Sequence, residues 1–554
     1  MAEPNGVTRN DSAKAQGVIV NPVLRGFNPD PYMLRAEGKY YIAVSSFEWL
    51  PGIRVYESDD LVSWQHCADL LTDQVNLRGN PKNCSIWAPQ LSWSDGLFYL
   101  VYTDVKSTKR PFKDSHNYVI TAASLQGPWS EPVYLNSSGF DPSLFHDDDG
   151  RKWLLNELWD YRIATGNKSV GVVIQEYDSD RQELIGEAVK LFDGTHLAKT
   201  EAPHIYKRGG WYYLITAEGG TGEGHAVTIA RSQQLLGPYE VDPRFPMMTA
   251  SDTPDWPLQC AGHGSLVESP EGEWYMAHLC TRPAEGEYAI LGRETAIQKV
   301  EWTEDGWLQL AGGGKLPLLE VPAPGRNAHN SADAEACVSP DADGLSSSAP
   351  GAAVFEDRFD GPELARNWNT LRILRDESWC SLQQRPGFLR MSAGESPQTL
   401  FEHHMIAIRQ TELAFRAETA LDYRPVSYLQ MAGLLLYLND ENYFYACVTQ
   451  DEDQGRVVRL MYCEENTFTL LPEIIAVNGE AEVQLAVEAD GTRARFFCRA
   501  GIEQEVWQPL GKEMSIAFLS GGFTGNFIGI GAHDMYRTAG SFADFSFFRY
   551  EGRN

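Results

Sequence analysis

Five short runs constrain this chain more than any other feature. Gly-Lys-Tyr-Tyr-Ile-Ala-Val begins at Gly38, Gly-Leu-Phe-Tyr-Leu-Val-Tyr at Gly96 and Gly-Arg-Lys-Trp-Leu-Leu at Gly150. Gly-Trp-Tyr-Tyr-Leu-Ile follows at Gly210 and Gly-Glu-Trp-Tyr-Met-Ala at Gly272. Each reads as a tight turn feeding an apolar strand, and the turn glycines lie 58, 54, 60 and 62 residues apart. A unit of this length, about 58 residues, accommodates a four-stranded antiparallel sheet, so the spacing predicts a five-bladed β-propeller. The competing arrangement is five unrelated hairpins in one large sandwich.

At 554 residues the chain exceeds what one hydrophobic core supports, and two or more domains are expected. The repeat fades after Leu319, and the following stretch reads as a linker almost devoid of large apolar residues. Short strands resume from Phe355, with hairpin signals at Asn439-Asp440-Glu441-Asn442 and Asp490-Gly491. The last strand alternates between Asp544 and Tyr550. The expected division is a propeller over residues 1–321, a linker over 322–353 and a β-sandwich of jelly-roll, concanavalin-like form over 354–554. Helical periodicity is scarce throughout, so the fold class is all-β.

A net charge of −30 would repel nucleic acid, membrane surfaces and polyanions, which leaves a neutral ligand as the expected partner. No apolar stretch approaches the length of a membrane span. Residues Met1 to Gln16 are polar and lack the basic end and apolar run of a signal peptide. The nine cysteines form no CxxC pair, so reduced thiols in a cytoplasmic protein are expected. The sequence leaves room for a homo-oligomer.

Eight or nine residues before each turn glycine stands a polar or aromatic residue followed, at once or after one residue, by Pro or Gly. The five are Asp30, Trp87, Asp141, Glu201 and His263. Asp30, between Pro29 and Pro31, is expected in stiff extended backbone, because each ring restricts its neighbour. Equivalent positions of successive blades converge on the propeller axis, so three carboxylates, an indole and an imidazole are expected in one pocket. Like charges there raise at least one carboxyl pKa. A protonated carboxyl beside an ionised one is what glycosidic cleavage needs. Phe47 and Trp87 would offer faces to a sugar ring. Spacing alone leaves the three carboxylate roles unassigned.

These motifs resemble those of glycoside hydrolase family 43, with the two-domain β-xylosidases as the nearest branch. The resemblance rests on Gly26-Phe27-Asn28-Pro29-Asp30-Pro31, Ser46 to Gly52, Trp87-Ala88-Pro89, Phe140-Asp141-Pro142-Ser143, Glu201-Ala202-Pro203-His204 and Leu291 to Gln298. It implies Asp30 as general base acting on water, Glu201 as general acid and Asp141 as the carboxylate that raises the acid's pKa. In an inverting enzyme the two working carboxylates stand roughly 6.5–9.5 Å apart. It also implies that Arg293 donates to the terminal sugar, that Phe47 and Trp87 wall that subsite, and that Trp159 borders the next. Phe523 is the candidate aromatic lent by the sandwich, with Phe527 close by. His225, after the Gly219 to Gly224 loop, is expected to reach the leaving-group side. His263 matches a histidine that in some relatives lies beside a calcium ion; the alternative is a histidine hydrogen-bonded beneath the site. No other cofactor is expected. The implied activity is exo-acting, inverting release of terminal β-D-xylose from xylo-oligosaccharides, with α-L-arabinofuranosidase as the alternative. A non-catalytic sugar-binding propeller is the reading from another class.

Overall fold

The computed structural model describes residues 17–325, 353–477, 479, 482–500, 506–537 and 540–553. They form strands and connecting turns, with no helix among the described residues. Five antiparallel sheets follow one another along the first part of the chain. Blade I comprises Tyr32–Ala36, Lys39–Ser45, Ile53–Ser58 and Gln65–Leu70. Blade II comprises Ser85–Ser94, Leu97–Ser107, Asp114–Ala122 and Val133–Asn136, and blade III Ser143–His146, Lys152–Trp159, Ser169–Asp178 and Glu183–Phe192. Blade IV is built on Glu201–Arg208, Trp211–Glu218, Ala226–Ser232 and Glu240–Val241, with Met248–Thr249 added to Ala226–Ser232. Blade V comprises Gln259–Glu268, Trp274–Thr281, Glu294–Trp302 and Leu308–Leu310.

The turn glycines Gly38, Gly96, Gly150, Gly210 and Gly272 sit between the first and second strands of their blades, with φ of 83°, 77°, 85°, 81° and 81°. A side chain would strain each of these left-handed turns. The second strands read as continuous apolar runs because both faces of each blade are covered. In blade II, Phe98 and Leu100 pack toward blade I, whereas Tyr99 and Val101 pack toward blade III. Leu214 and Ile215 of blade IV divide the same way between blades III and V. Period-two alternation therefore feeds two cores from one strand. The ring is closed by a separate ribbon, in which Val18–Val20 pairs antiparallel with Glu320–Pro322. Ile19 and Val321 join the apolar cluster between blades I and V.

The sandwich's first strand, Val354–Asp357, belongs to one of two nine-stranded sheets. The expected hairpins are present, joining Gln430–Asn439 to Asn442–Asp451 and Val483–Asp490 to Arg493–Ala500. The last strand, Phe542–Arg553, is interrupted by a register shift, so its alternation is imperfect. The second sheet contains a strand from the propeller. Trp49–Leu50 leaves blade I and pairs with Asn369–Leu371, Thr370 opposite Leu50 and Leu371 opposite Trp49. Trp49 is fully buried and stacks on Phe527, ring centroids 3.7 Å apart. One apolar cluster runs from Phe27, Phe47 and Trp87 of the propeller into Leu371, Met405 and Tyr437 of the sandwich.

Candidate active site

One residue near the start of the inner strand in every blade adopts left-handed backbone. These are Asp30 (φ 53°), Ala88 (39°), Asp141 (53°), Ala202 (50°) and His263 (56°), each followed by Pro or Gly. The five slots are thus equivalent in conformation, with one refinement. In blades I, III and V the left-handed residue itself carries the side chain, whereas in blades II and IV the preceding residue, Trp87 or Glu201, does. Register shifts accompany the slot in blades II, IV and V, at Trp87/Gln90, Glu201/His204 and Gly262/Ser265. Asp30 is accordingly not extended, as its flanking prolines suggest. Aspartate tolerates φ above zero better than most residues. Two bonds hold this turn: Asn28 N–H to Arg293 O at 2.9 Å, and Ser45 N–H to Pro29 O at 3.1 Å.

The Asp30 carboxylate is fixed from both sides. Arg293 Nη1 donates to Oδ1 at 2.5 Å, and the Ser45 hydroxyl donates to Oδ2 at 2.7 Å. Ser45 Oγ in turn accepts from Ala88 N–H at 2.7 Å, which ties blade I to blade II. The remaining edge of the Arg293 fork reaches the sandwich, where Nη2 and Nε donate to Phe523 O at 3.1 and 3.3 Å. Arg293 therefore binds the orientation of Asp30 to the seat of the Phe523 loop. Phe523 N–H is itself held by Asn83 Oδ1 at 2.9 Å.

Asp30, Asp141 and Glu201 all face one cavity of about 410 Å³. Burial pushes Glu201 up to about 7; the Asp30 charge adds to this, while Lys113 opposes it. Asp141 is raised well above the carboxylate range by burial and then by the charges of Glu201 and Asp30, against a bond of 3.1 Å from Ala202 N–H to its Oδ2. Phe47, Trp87, Phe140, Trp159 and Phe523 supply the aromatic lining. Phe523 stacks on Phe47 at 6.0 Å and meets Trp87 edge-on at 5.4 Å. Phe527 instead packs on Trp49 in the domain seam, so Phe523 is the sandwich's contribution to the pocket.

Trp159 lines the cavity, but one side of its ring is taken. Lys113 Nζ lies 4.3 Å from the Trp159 centroid and 3.7 Å from that of Phe140. Burial lowers the Lys113 pKa, opposed by Glu157, Glu201 and Asp141. Glu157 is fully buried beneath the site, and burial raises its carboxyl strongly. Ser45, Lys113, Glu157 and Asn83 lie outside the repeated slots, and the sequence reading misses them. The Pro-flanked loop before Lys113 and the Ser45-Ser46 pair before Phe47 carry the only local signals.

The expectation for His225 is corrected as well. His225 does not reach the leaving-group side; it is wholly buried under blade V. A Cβ placed on Gly262 would come within 2.5 Å of its ring, and Nδ1 lies 3.1 Å from Cys260 O. Only the loop before it, through Gly220 and Thr221, lines the cavity. Around His263 the described side chains alone fall short of the six to eight oxygens that calcium takes, so water would have to supply most of its ligands there. His263 Nδ1 faces Asp30 Oδ1 at 3.7 Å, an oxygen already engaged by Arg293, whose charge helps lower the imidazole to about 3 after burial. Among the described residues no group of three or more His, Cys, Asp or Glu is arranged for a metal ion.

Comparison with known proteins agrees with this geometry. Residues 19–308 match the family model described as glycosyl hydrolases family 43, and residues 356–551 that of the beta xylosidase C-terminal concanavalin A-like domain. The chain is 42% identical to a beta-xylosidase of Bacillus subtilis (strain 168), over 96% of this chain and 99% of that protein. It is 40% identical to xylosidase/arabinosidase 43B of Humicola insolens, over 96% of this chain and 97% of that protein. The crystal structure of xylan beta-1,4-xylosidase from Bacillus halodurans C-125 superposes with a TM-score of 0.89 at 44% identity, covering 96% of this chain and all of that one. The family model over residues 19–308 and relatives 40–42% identical over 96% of the chain show that it belongs to glycoside hydrolase family 43.

Proposed function

We propose that the protein is an exo-acting, inverting β-xylosidase that releases terminal β-D-xylose from xylo-oligosaccharides. The observation that carries the reading is the cavity itself. Asp30 and Glu201 face the same small space, and that space is walled by Phe47, Trp87 and the sandwich's Phe523. Its volume of about 410 Å³ lies near the lower end of the usual range for small-ligand pockets, which suits a chain end better than a polymer interior. Xylosidase relatives at 40–42% identity supply the choice of sugar.

In this reading Asp30, aimed by Arg293 and Ser45, takes a proton from the attacking water. Glu201, protonated near neutral pH, gives its proton to the leaving oxygen. Asp141 bonds the turn that carries Glu201 and shares its electrostatics. No covalent sugar ester forms, so the first product from a β-linked substrate is α-xylose. Anomer-resolved NMR on xylobiose tests sugar and stereochemistry together; β-xylose as the first product would reject the assignment of Asp30. Glu201→Gln is expected to lower kcat on xylobiose about 10²- to 10⁴-fold. The loss should be smaller on an aryl xyloside whose leaving group needs little protonation.

The Humicola insolens relative, whose name couples xylosidase with arabinosidase, favours a second activity on terminal α-L-arabinofuranose in the same pocket. Paired aryl β-xyloside and α-arabinofuranoside substrates separate the two. A cytoplasmic location belongs to the same proposal and is supported by the eight described cysteines, all of them free thiols. Thiol titration of the unfolded chain isolated without reductant should then find nine.

A further inference from the structure

The cavity rim carries a charge pattern at odds with the rest of the molecule. Acidic residues outnumber basic ones by 76 to 46 in the chain, yet Arg110, Lys113 and Lys199 all line this one opening. They come from blade II and from the connection between blades III and IV, the arc of the ring away from Arg293. Arg110 and Lys199 are exposed. Arg110 Nη1 donates to Gly166 O at 2.8 Å, which pins the guanidinium to the loop of the neighbouring blade. The Lys199 side chain lies over Gly220, where a Cβ would come within 2.7 Å of its Cδ. Among the described residues none of the three forms a salt bridge.

Lys113 has a task within the site, since it offsets the charges of Glu201, Asp141 and Glu157. Lys199 also acts to lower the Glu201 pKa, but it and Arg110 are exposed at the rim, where a ligand can reach them. Lys113 also occupies the sides of Phe140 and Trp159 on which a leaving sugar would otherwise stack. The leaving-group side therefore offers cationic donors in place of free ring faces.

Resting on the proposed xylosidase reading, we infer that the leaving-group subsite accepts a sugar bearing a carboxylate, namely a uronic-acid-substituted xylose unit, with Arg110 and Lys199 as its counter-charges. The net charge of −30 does not forbid this. At physiological salt the field of distant acids is screened beyond about 8 Å, while groups in contact at a rim act directly. Charge at a rim acts through encounter and placement, so the effect should depend on ionic strength.

The test compares kcat/KM for xylotriose with that for the same trisaccharide carrying glucuronic acid on its middle unit. In low salt the acidic substrate is expected to be preferred about five- to tenfold, and 0.5 M NaCl should remove most of the preference. Arg110→Gln and Lys199→Gln should each lower the acidic-to-neutral ratio about two- to fivefold. Circular dichroism and melting temperature establish that both variants fold. A ratio below one for the unaltered enzyme, or variants that leave the ratio unchanged, overturns the inference. Failure to release xylose from xylotriose at all instead rejects the parent proposal.

Discussion

Asp141 and Glu201 are too strongly coupled to titrate separately. Each faces the same buried cavity, and the charge of Glu201 is the second cause, after burial, of the rise at Asp141. The pair therefore loses protons in macroscopic steps that belong to both residues. In the proposed reaction the productive state has the proton on Glu201, with the Ala202 N–H bond favouring the charged form of Asp141. Activity should fall as pH rises through the last shared ionisation, because the acid is then lost. Asp141→Asn replaces this shared ionisation by that of Glu201 alone, which burial raises to about 7, so the basic limb of the kcat/KM profile should move down by about one unit. A limb that stays in place, or moves up, would show that Asp141 does not raise the acid. The carboxylates were legible in sequence because each recurs at a fixed distance from a turn glycine. Ser45 and Lys113 were not, since a single hydroxyl and a single lysine in non-repeated loops have no partner pattern to reveal them. His225 misled for the opposite reason: a histidine after a glycine-rich loop looks exposed, and only packing against Gly262 shows that it is buried.

The strand Trp49–Leu50 is the element that joins the pocket wall to the second domain. Immediately before it, Phe47 lines the cavity and Glu48 is buried at 1% exposure in the seam. Burial pushes the Glu48 carboxyl up to about 7, only partly offset by Arg372. The Arg372 backbone N–H donates to Glu48 O at 2.9 Å and its Nε donates to Asn80 O at 2.7 Å, so main chain and side chain both tie Arg372 into the seam. The folded chain binds this proton more tightly than the unfolded one, in which the carboxyl stays near 4.5. Stability is therefore fully supported below that value and declines as pH rises toward 7, by up to roughly 3 kcal/mol at 1.36 kcal/mol per unit. Glu48→Gln has no such titration. Its melting temperature relative to the unaltered protein should rise between pH 5 and pH 8, and a gap independent of pH would rule out ionisation of Glu48 as the cause. Nothing in the sequence announces that two residues of blade I complete a sheet of the other domain. Strand pairing between segments over 300 residues apart leaves no local periodicity, whereas alternation within a blade does.

At the scale of the whole molecule, the propeller is closed twice. The Val18–Val20 and Glu320–Pro322 ribbon closes the ring, and the sandwich closes the cavity through Phe523 and the seam through Trp49. Losing the sandwich would strip the carbonyl that holds Arg293 and uncover Phe27, Phe47, Trp49 and Trp87, which pack on Phe523 or Phe527. At about 2 kcal/mol for each large apolar side chain, exposing these four costs roughly 8 kcal/mol. That is comparable to the entire stability of a typical domain, about 5–15 kcal/mol. The propeller made alone, as residues 1–325, is therefore expected to aggregate instead of forming a slow but soluble enzyme. Among the described residues the pocket lining and the seam pairing come from residues 30–293, 369–371 and 523, on either side of the connection between the domains. Co-expression of residues 1–340 and 341–554 as separate chains should yield a complex that purifies together and hydrolyses an aryl β-xyloside within about tenfold of the intact protein. A soluble, monomeric propeller with undiminished kcat/KM would show instead that Asp30 keeps its orientation without Phe523, and that the sandwich is an appendage rather than part of the active site.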